Sequence, residues 1–192
     1  MRPLVLASAS PQRRKLLRIF SLPFTIKPSR AHESNDLSKG VAALVKLNAW
    51  RKAQDVASGL KSGLVIGSDT VVYSARKRLI LKPKDLAEAK RNLKELMAKP
   101  HWVYSGVVVI DASSGKTLID YEKTKVFMRP LPDEAIDRYH KIVSPLNKAG
   151  GFDIEGKGGT FIYRIEGCYF NVVGLPLAKL AQMLSKFGVR VL

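Results

Sequence analysis

Two stretches of the chain carry residue types that could do chemistry together. In the first, Ser8-Ala9-Ser10-Pro11-Gln12-Arg13-Arg14 follows a short apolar run, residues 4–7. The run reads as a buried strand, and Ser10 followed by Pro11 reads as a helix N-cap with proline at the first helical position. A strand-to-helix junction aims free backbone N–H groups and the positive end of a helix dipole into one small space. Gln12, Arg13 and Arg14 add donors beside it, so the space suits an anion rich in oxygens, such as a polyphosphate. An ordinary capped first helix with solvated arginines is the structural alternative. In the second stretch, Asp69 lies within Ser68-Asp69-Thr70, directly after the apolar run Leu64-Val65-Ile66-Gly67. A carboxylate where an apolar strand turns polar can project into the crevice in which open α/β sheets place ligands. There it would hold a magnesium ion or take a proton from an attacking water; capping its own turn is the alternative.

Two further stretches bear on the same chemistry. Pro83 fixes the backbone just after Lys82, so that ammonium can be held at a defined place against a phosphate. Residues 147–159 run Asn-Lys-Ala-Gly-Gly-Phe-Asp-Ile-Glu-Gly-Lys-Gly-Gly, a segment whose glycines permit close backbone approach to a ligand. It matches neither the phosphate-binding loop nor the dinucleotide fingerprint. His32, His101 and His140 are scattered and Cys168 is alone, so no zinc-ligand spacing exists, and no Gly-x-Ser-x-Gly elbow appears.

The elements that must position these residues follow from pattern and punctuation. A helix is expected over 11–20, a short strand within 22–28, a loop at the mouth of the site over 29–40, and an amphipathic helix over 41–57. A strand over 64–73 is expected to be interrupted by the polar trio, and a hairpin through Arg76 and Lys77 returns along 79–81. A helix over 86–98 precedes a long hairpin, 102–111 and 117–128, joined through Ser113-Ser114-Gly115. A helix from 132 to about 143, two short strands at 160–165 and 169–173, and a closing helix over 177–187 complete the chain. Interleaved helices and strands broken by hairpins predict an α/β fold with a mixed sheet.

Composition bounds the function. The 192 residues suffice for one well-cored domain or two lobes. With 33 Lys and Arg against 16 Asp and Glu, the net charge of +17 favours an anionic partner. The basic residues are spread along helices and turns rather than gathered in one block, so a pI near 10.1 does not by itself establish nucleic-acid binding. One cysteine excludes an internal disulfide framework and fits a reducing compartment. No apolar signal region precedes residue 8 and no run reaches membrane-spanning length, so a cytoplasmic protein with no membrane partner is expected.

Taken together these stretches resemble the Maf (septum-formation protein) family of nucleotide pyrophosphatases, over nearly the whole chain. The resemblance is carried by 6–14 (Leu-Ala-Ser-Ala-Ser-Pro-Gln-Arg-Arg), 66–70 (Ile-Gly-Ser-Asp-Thr), Lys82-Pro83, 104–107 (Tyr-Ser-Gly-Val), 148–152 (Lys-Ala-Gly-Gly-Phe) and 171–177 (Asn-Val-Val-Gly-Leu-Pro-Leu). It implies a single family domain over 1–192 with a two-lobed α/β fold, similar to that of inosine triphosphate pyrophosphatases, with a deep cleft and a homodimer. It also implies hydrolysis of a nucleoside triphosphate to the monophosphate and pyrophosphate, assisted by a divalent cation, Mg²⁺ or Mn²⁺. By motif position Asp69 would accept the proton. Ser8, Ser10, Arg13, Arg14, Lys82 and Lys148 would face phosphate, and Glu33 with Asp69 would hold the metal.

Three positions resemble those that sort substrates in the family. Members acting on dTTP and UTP tend to carry Arg, Thr and Gln there, and members acting on 7-methyl-GTP tend to carry Trp, Gln and Glu. This chain has Gln12, Thr70 and Glu155, a mixed set. Asn48 stands where many members have lysine, a lost cation unless Lys46 or Lys52 compensates, and Asn147 replaces a frequent Asp. A binding or regulatory protein for nucleotide or nucleic acid, without turnover, is the competing class, and a metal-dependent nuclease is a third.

Overall fold

A computed structural model describes residues 2–192. Its sheet has seven strands in the order β2-β1-β3-β5-β6-β7, with β4 paired to β3. The strands are β1 (Leu4–Leu6), β2 (Phe24–Ile26), β3 (Leu64–Tyr73), β4 (Leu79–Ile80), β5 (His101–Asp111), β6 (Thr117–Met128) and β7 (Ile162–Glu166). The helices are α1 (Pro11–Arg18), α2 (Val41–Ala57), α3 (Leu86–Ala98), α4 (Asp133–Ile142), α5 (Tyr169–Val173) and α6 (Leu177–Ser185). The mixed α/β class read from the sequence is the observed one. The chain divides into two compact units: the first holds the residues up to Thr70 with Ser105–Glu122 and Gly174–Leu192, the second Val71–Tyr104 and Lys123–Val173.

In the first unit β1 is fully buried and parallel to β2 on one side and β3 on the other. Helix α1 makes the crossover to β2, so the strand order reverses at β1, and the carboxyl end of β1 is a topological switch point. Ala7 N–H donates to the Ile66 carbonyl and Lys27 N–H to that of Leu6, carrying the pairing up to the first serine. Helix α2 lies against this sheet through Ala49 and Ala53, packed with Val5, Val65, Val108 and Ile110. The approach is close: a Cβ on Gly67 would stand 2.3 Å from the Ala49 carbonyl oxygen.

The second unit has its own core of Val72, Leu93, Leu96, Val103, Val126, Ile136, Phe152 and Phe161. His101 is fully buried in this unit, edge-on to Phe152 with ring centroids 5.6 Å apart. Its Nδ1 lies 3.3 Å from the Leu96 carbonyl, which assigns the proton to that nitrogen. Burial pushes His101 down to about 4 from its ordinary 6.5, against the smaller opposing effect of that hydrogen bond. A depressed histidine favours the folded state fully above pH 6.5 and progressively less down to about pH 4, a span of up to about 3 kcal/mol. Urea unfolding at pH 7 and pH 4.5 should therefore show a stability loss that His101→Gln, which cannot titrate there, largely lacks.

Two sequence expectations are corrected. Strand β3 is continuous rather than interrupted at Ser68-Asp69-Thr70, because each of the three polar side chains finds a partner. Residues 169–173, with their aromatic and β-branched residues, form helix α5 rather than a strand. The buried Asn171 decides this: its Nδ2 donates to the Val103 carbonyl and to Thr124 Oγ1, a tertiary demand that overrides local propensity.

Candidate active site

The first unit gathers the residues singled out at the start of the chain. Ser10 caps α1, its Oγ accepting from Arg13 N–H at 3.4 Å, and Ser8 Oγ accepts from Ser10 N–H at 3.2 Å. The turn is thus tied by its own serines, with Pro11 opening the helix. Gln12 is half-buried, its Oε1 3.4 Å from Ser10 Oγ, and Arg14 is exposed.

Arg13 turns inward. Its Nε donates to the Gly174 carbonyl at 2.9 Å, Nη2 to Thr70 Oγ1 at 3.0 Å and Nη1 to Ser8 Oγ at 3.3 Å. Three of five N–H donors are thereby fixed, so the guanidinium is held in one orientation before any ligand arrives. Desolvation disfavours its charge, and the fields of Asp69 and Glu33 oppose that effect. The Gly174 carbonyl also accepts from Ser68 Oγ at 3.2 Å, and Thr70 Oγ1 lies 2.8 Å from Ser105 Oγ. Gly174 has φ +123°, a backbone state that favours glycine, and this places its carbonyl among these donors. Thr70 thus supports Arg13, a connection that its position after Asp69 does not reveal.

Beside this cluster Asp69, only 4% exposed, carries a second network. Lys52 Nζ donates to Asp69 Oδ1 at 2.6 Å and pairs with Glu33 Oε1 at 2.6 Å. Asn48 Nδ2 donates to Asp69 Oδ2 at 3.1 Å and to the Ser34 carbonyl at 3.0 Å, while its Oδ1 accepts from Ser34 N–H. Asn48 therefore does more than mark a missing cation: it ties the loop carrying Glu33 to the buried carboxylate. The cation at Asp69 is Lys52, one helical turn later.

The loop over 29–40 has no helix or strand, as expected, and α2 holds it at several points. Ser29 Oγ and Arg30 N–H donate to Asp55 Oδ2, and Arg51 Nη1 reaches the His32 carbonyl. Asn48, Arg51, Lys52 and Asp55 follow an i, i+3, i+4, i+7 spacing, which puts them on one side of a helix. The apolar stripe of α2 fixes it to the sheet while this polar stripe presents Glu33 toward Asp69. Ordinary helical periodicity was the signal that could have found Lys52 and Asn48 as partners.

Glu33 and Asp69 converge on one cationic centre, here the Lys52 ammonium. Two hard carboxylates suit Mg²⁺ or Mn²⁺ completed by substrate oxygens and water, without the Cys and His ligands that dominate zinc sites. Among the described residues no group of three or more His, Cys, Asp or Glu is placed to hold a metal, so substrate oxygens and water must complete such a site.

The other expected residues lie in the second unit. Lys82 is exposed, between β4 and α3, whose N-cap is Asp85. Lys148 Nζ is 3.3 Å from Asn147 Oδ1. Glu155 sits on the glycine-rich segment, which Asp153 shapes: its Oδ1 accepts from Tyr139 Oη at 2.8 Å and from Gly158 N–H at 3.0 Å. A Cβ on Gly158 would strike the Asp153 carbonyl oxygen, so the glycines there serve the loop's own tight turn.

Parallel switch-point strands, a capped basic helix start and a carboxylate pair beside an arginine are chemically suited to an anionic, phosphate-bearing ligand. The family model of Maf-like proteins matches residues 3–187, and the chain belongs to the Maf family. It is 45% identical to a dTTP/UTP pyrophosphatase of Pelotomaculum thermopropionicum, with the whole of both chains covered. It is 45% identical to another of that name from Moorella thermoacetica, covering all of this chain and 98% of that one. In fold it is similar to a HAM1 protein from Coxiella burnetii, with a TM-score of 0.55 at 15% identity over 97% of this chain and all of the other. No helix among the described residues is long and apolar enough to cross a membrane.

Proposed function

We propose that the chain is a cytoplasmic nucleoside triphosphate pyrophosphatase acting on dTTP and UTP. It would cleave them to the monophosphate and pyrophosphate. The observation that carries the reading is the convergence of the oriented Arg13 and the Asp69–Lys52–Glu33 cluster in one unit. Full-length relatives named dTTP/UTP pyrophosphatase supply the base preference. Gln12 and Glu155 depart from the residues those members tend to carry, and Thr70 keeps theirs.

In this reading water attacks the α-phosphorus, a new P–O bond forms, and the bond to the bridging oxygen breaks to release pyrophosphate. Asp69 takes the proton of the attacking water, on a lone pair left by Lys52 and Asn48. Arg13, Ser8 and the start of α1, including Ser10 and Arg14, bind phosphate oxygens and meet charge that grows on the leaving group. Lys82 and Lys148 are assigned to phosphate on resemblance alone. A divalent cation on Glu33 and Asp69 would supply charge neutralisation of the phosphates. Catalysis then comes mainly from positioning and electrostatics.

Thr70→Val tests the support given to Arg13. The isosteric change removes the acceptor at Nη2, and hydrogen bonds to charged groups contribute about 1.5–3 kcal/mol. KM for UTP should rise by about ten-fold or more, while KM in Thr70→Ser stays near that of the parent. A homodimer is the assembly proposed, a reading supported by exposed Leu47, Trp50 and Ile119 around a cavity of about 360 Å³ in the first unit. Light scattering at the dimer mass checks it.

The direct test of substrate is pyrophosphate release with magnesium from dTTP, UTP, 7-methyl-GTP and the canonical purine triphosphates. Turnover greatest with dTTP and UTP, abolished by chelator, is expected. Intact triphosphates across the panel would refute the enzyme reading, and preferred turnover of 7-methyl-GTP would refute the base assignment.

A further inference from the structure

The second unit carries a surface to which the proposed hydrolysis assigns no residue. Along β5 and β6 alternate residues point to opposite faces. Val103, Thr124 and Val126 face the core, whereas Trp102, Tyr104, Lys123, Lys125 and Phe127 lie on the other face, where they are half-buried or exposed. An outward face of a sheet is ordinarily filled with small or polar residues; this one alternates large rings with cations. Lys123 Nζ is 5.4 Å from the Trp102 ring centre and 5.5 Å from that of Tyr104. Lys125 Nζ is 5.8 Å from Trp102 and 5.0 Å from Phe127.

A bulge enlarges the same face. In the pairing of β6 with β7, Phe127 is opposite Arg164 and Met128 opposite Ile162, which leaves Tyr163 as the extra residue. The bulge brings both side chains to Phe127, with Tyr163 at 6.1 Å between ring centroids and the Arg164 guanidinium at 5.2 Å. Arg129 lies 5.8 Å from the Tyr163 ring. Four aromatic rings therefore stand among four cations, one of which, Arg164, pairs with Glu166.

From this pattern we infer that the outer face of β5, β6 and β7 in the second unit binds single-stranded nucleic acid, a second site independent of nucleotide hydrolysis. Ligands with flat π faces on a phosphate backbone match both components of the surface. Neighbouring rings on one face of a strand are two residues, about 7 Å, apart, a step an extended single strand can follow with its bases. Stacking on partly exposed rings is tolerant of sequence, and the cations track the backbone. The net charge of +17 adds a diffuse attraction for any polyanion, so charge alone does not identify the site, and the rings must.

The test uses the full-length protein and a fluorescein-labelled oligothymidylate of about 12 nucleotides. Anisotropy should report binding that weakens steeply from about 50 to about 200 mM salt. Trp102→Ala and Phe127→Ala, which leave the charge unchanged, should each weaken it about ten-fold while UTP hydrolysis and melting temperature stay near parental values. In a Trp50→Phe background Trp102 is the remaining tryptophan, and its fluorescence should be quenched as the oligomer binds. Affinity unchanged in both ring variants would show only diffuse attraction to a basic surface and overturn the inference. Displacement of the oligomer by a non-hydrolysable UTP analogue at the concentration that inhibits hydrolysis would place it in the nucleotide site and overturn it too. No binding at low salt would do the same.

Discussion

Asp69→Asn is expected to abolish measurable UTP hydrolysis, with a fall in kcat of about 10³-fold, within the range a positioned general base contributes. The substitution preserves shape and leaves Lys52 its bond to Glu33, so the change falls on charge and basicity rather than on packing. Asparagine cannot accept the proton of the attacking water, and it halves the anionic charge that Glu33 and Asp69 offer a divalent cation. Melting temperature should fall only modestly and circular dichroism stay near that of the parent, because the amide oxygen keeps one of the two bonds, from Lys52 or from Asn48, while the amide nitrogen loses the other. Parental turnover in this variant would remove Asp69 from the chemistry. A loss of activity accompanied by a large fall in melting temperature would mean that the carboxylate serves the fold instead.

Gly106→Ala should be the most destabilising single-atom change in the first unit. A Cβ there would stand 2.1 Å from the Val45 carbonyl oxygen and 2.9 Å from Lys46 N, both backbone atoms of α2. No side chain can rotate away to relieve such an overlap, so α2 itself must move off the sheet. Overpacking of this kind costs about 1–3 kcal/mol and occasionally more, and contact with helix backbone puts this case at the upper end, about 3 kcal/mol. Because α2 also presents Asn48 and Lys52 to Asp69, activity should fall at temperatures where the variant is still folded. Urea unfolding gives the stability change; a variant as stable as the parent would show that α2 does not pack as closely on β5 as described.

Much of this was legible in the sequence. The capped turn at Ser10-Pro11 followed from N-cap chemistry and the strand starting at Leu64 from apolar run length, both of which act locally, whereas the continuation of that strand through Asp69 did not. The polar stripe of α2 was legible in principle, since Asn48, Lys52 and Asp55 share a helical spacing, but comparison with the lysine that many family members carry marks Asn48 as a loss. The role of the Gly174 carbonyl was not legible. It lies more than a hundred residues from Ser68 and Thr70, and only the folded sheet brings it to Arg13. Residues 169–173 misled because their aromatic and branched side chains favour a strand, while the hydrogen bonds of Asn171 that hold them in a helix are long-range. Glu155 shows the limit from the other side: its sequence motif is recognisable, but Gly156 and Gly158 beside it serve the turn closed by Asp153.

If this cluster directs water to the α-phosphorus of a nucleoside triphosphate, hydrolysis of UTP in ¹⁸O-labelled water with magnesium will mark the nucleotide product. Mass spectrometry of the products should find one ¹⁸O atom in UMP and none in pyrophosphate, with no label incorporated by Asp69→Asn. Label in pyrophosphate, or release of orthophosphate with UDP, would contradict the assignment of Arg13 and Asp69 to attack at that centre.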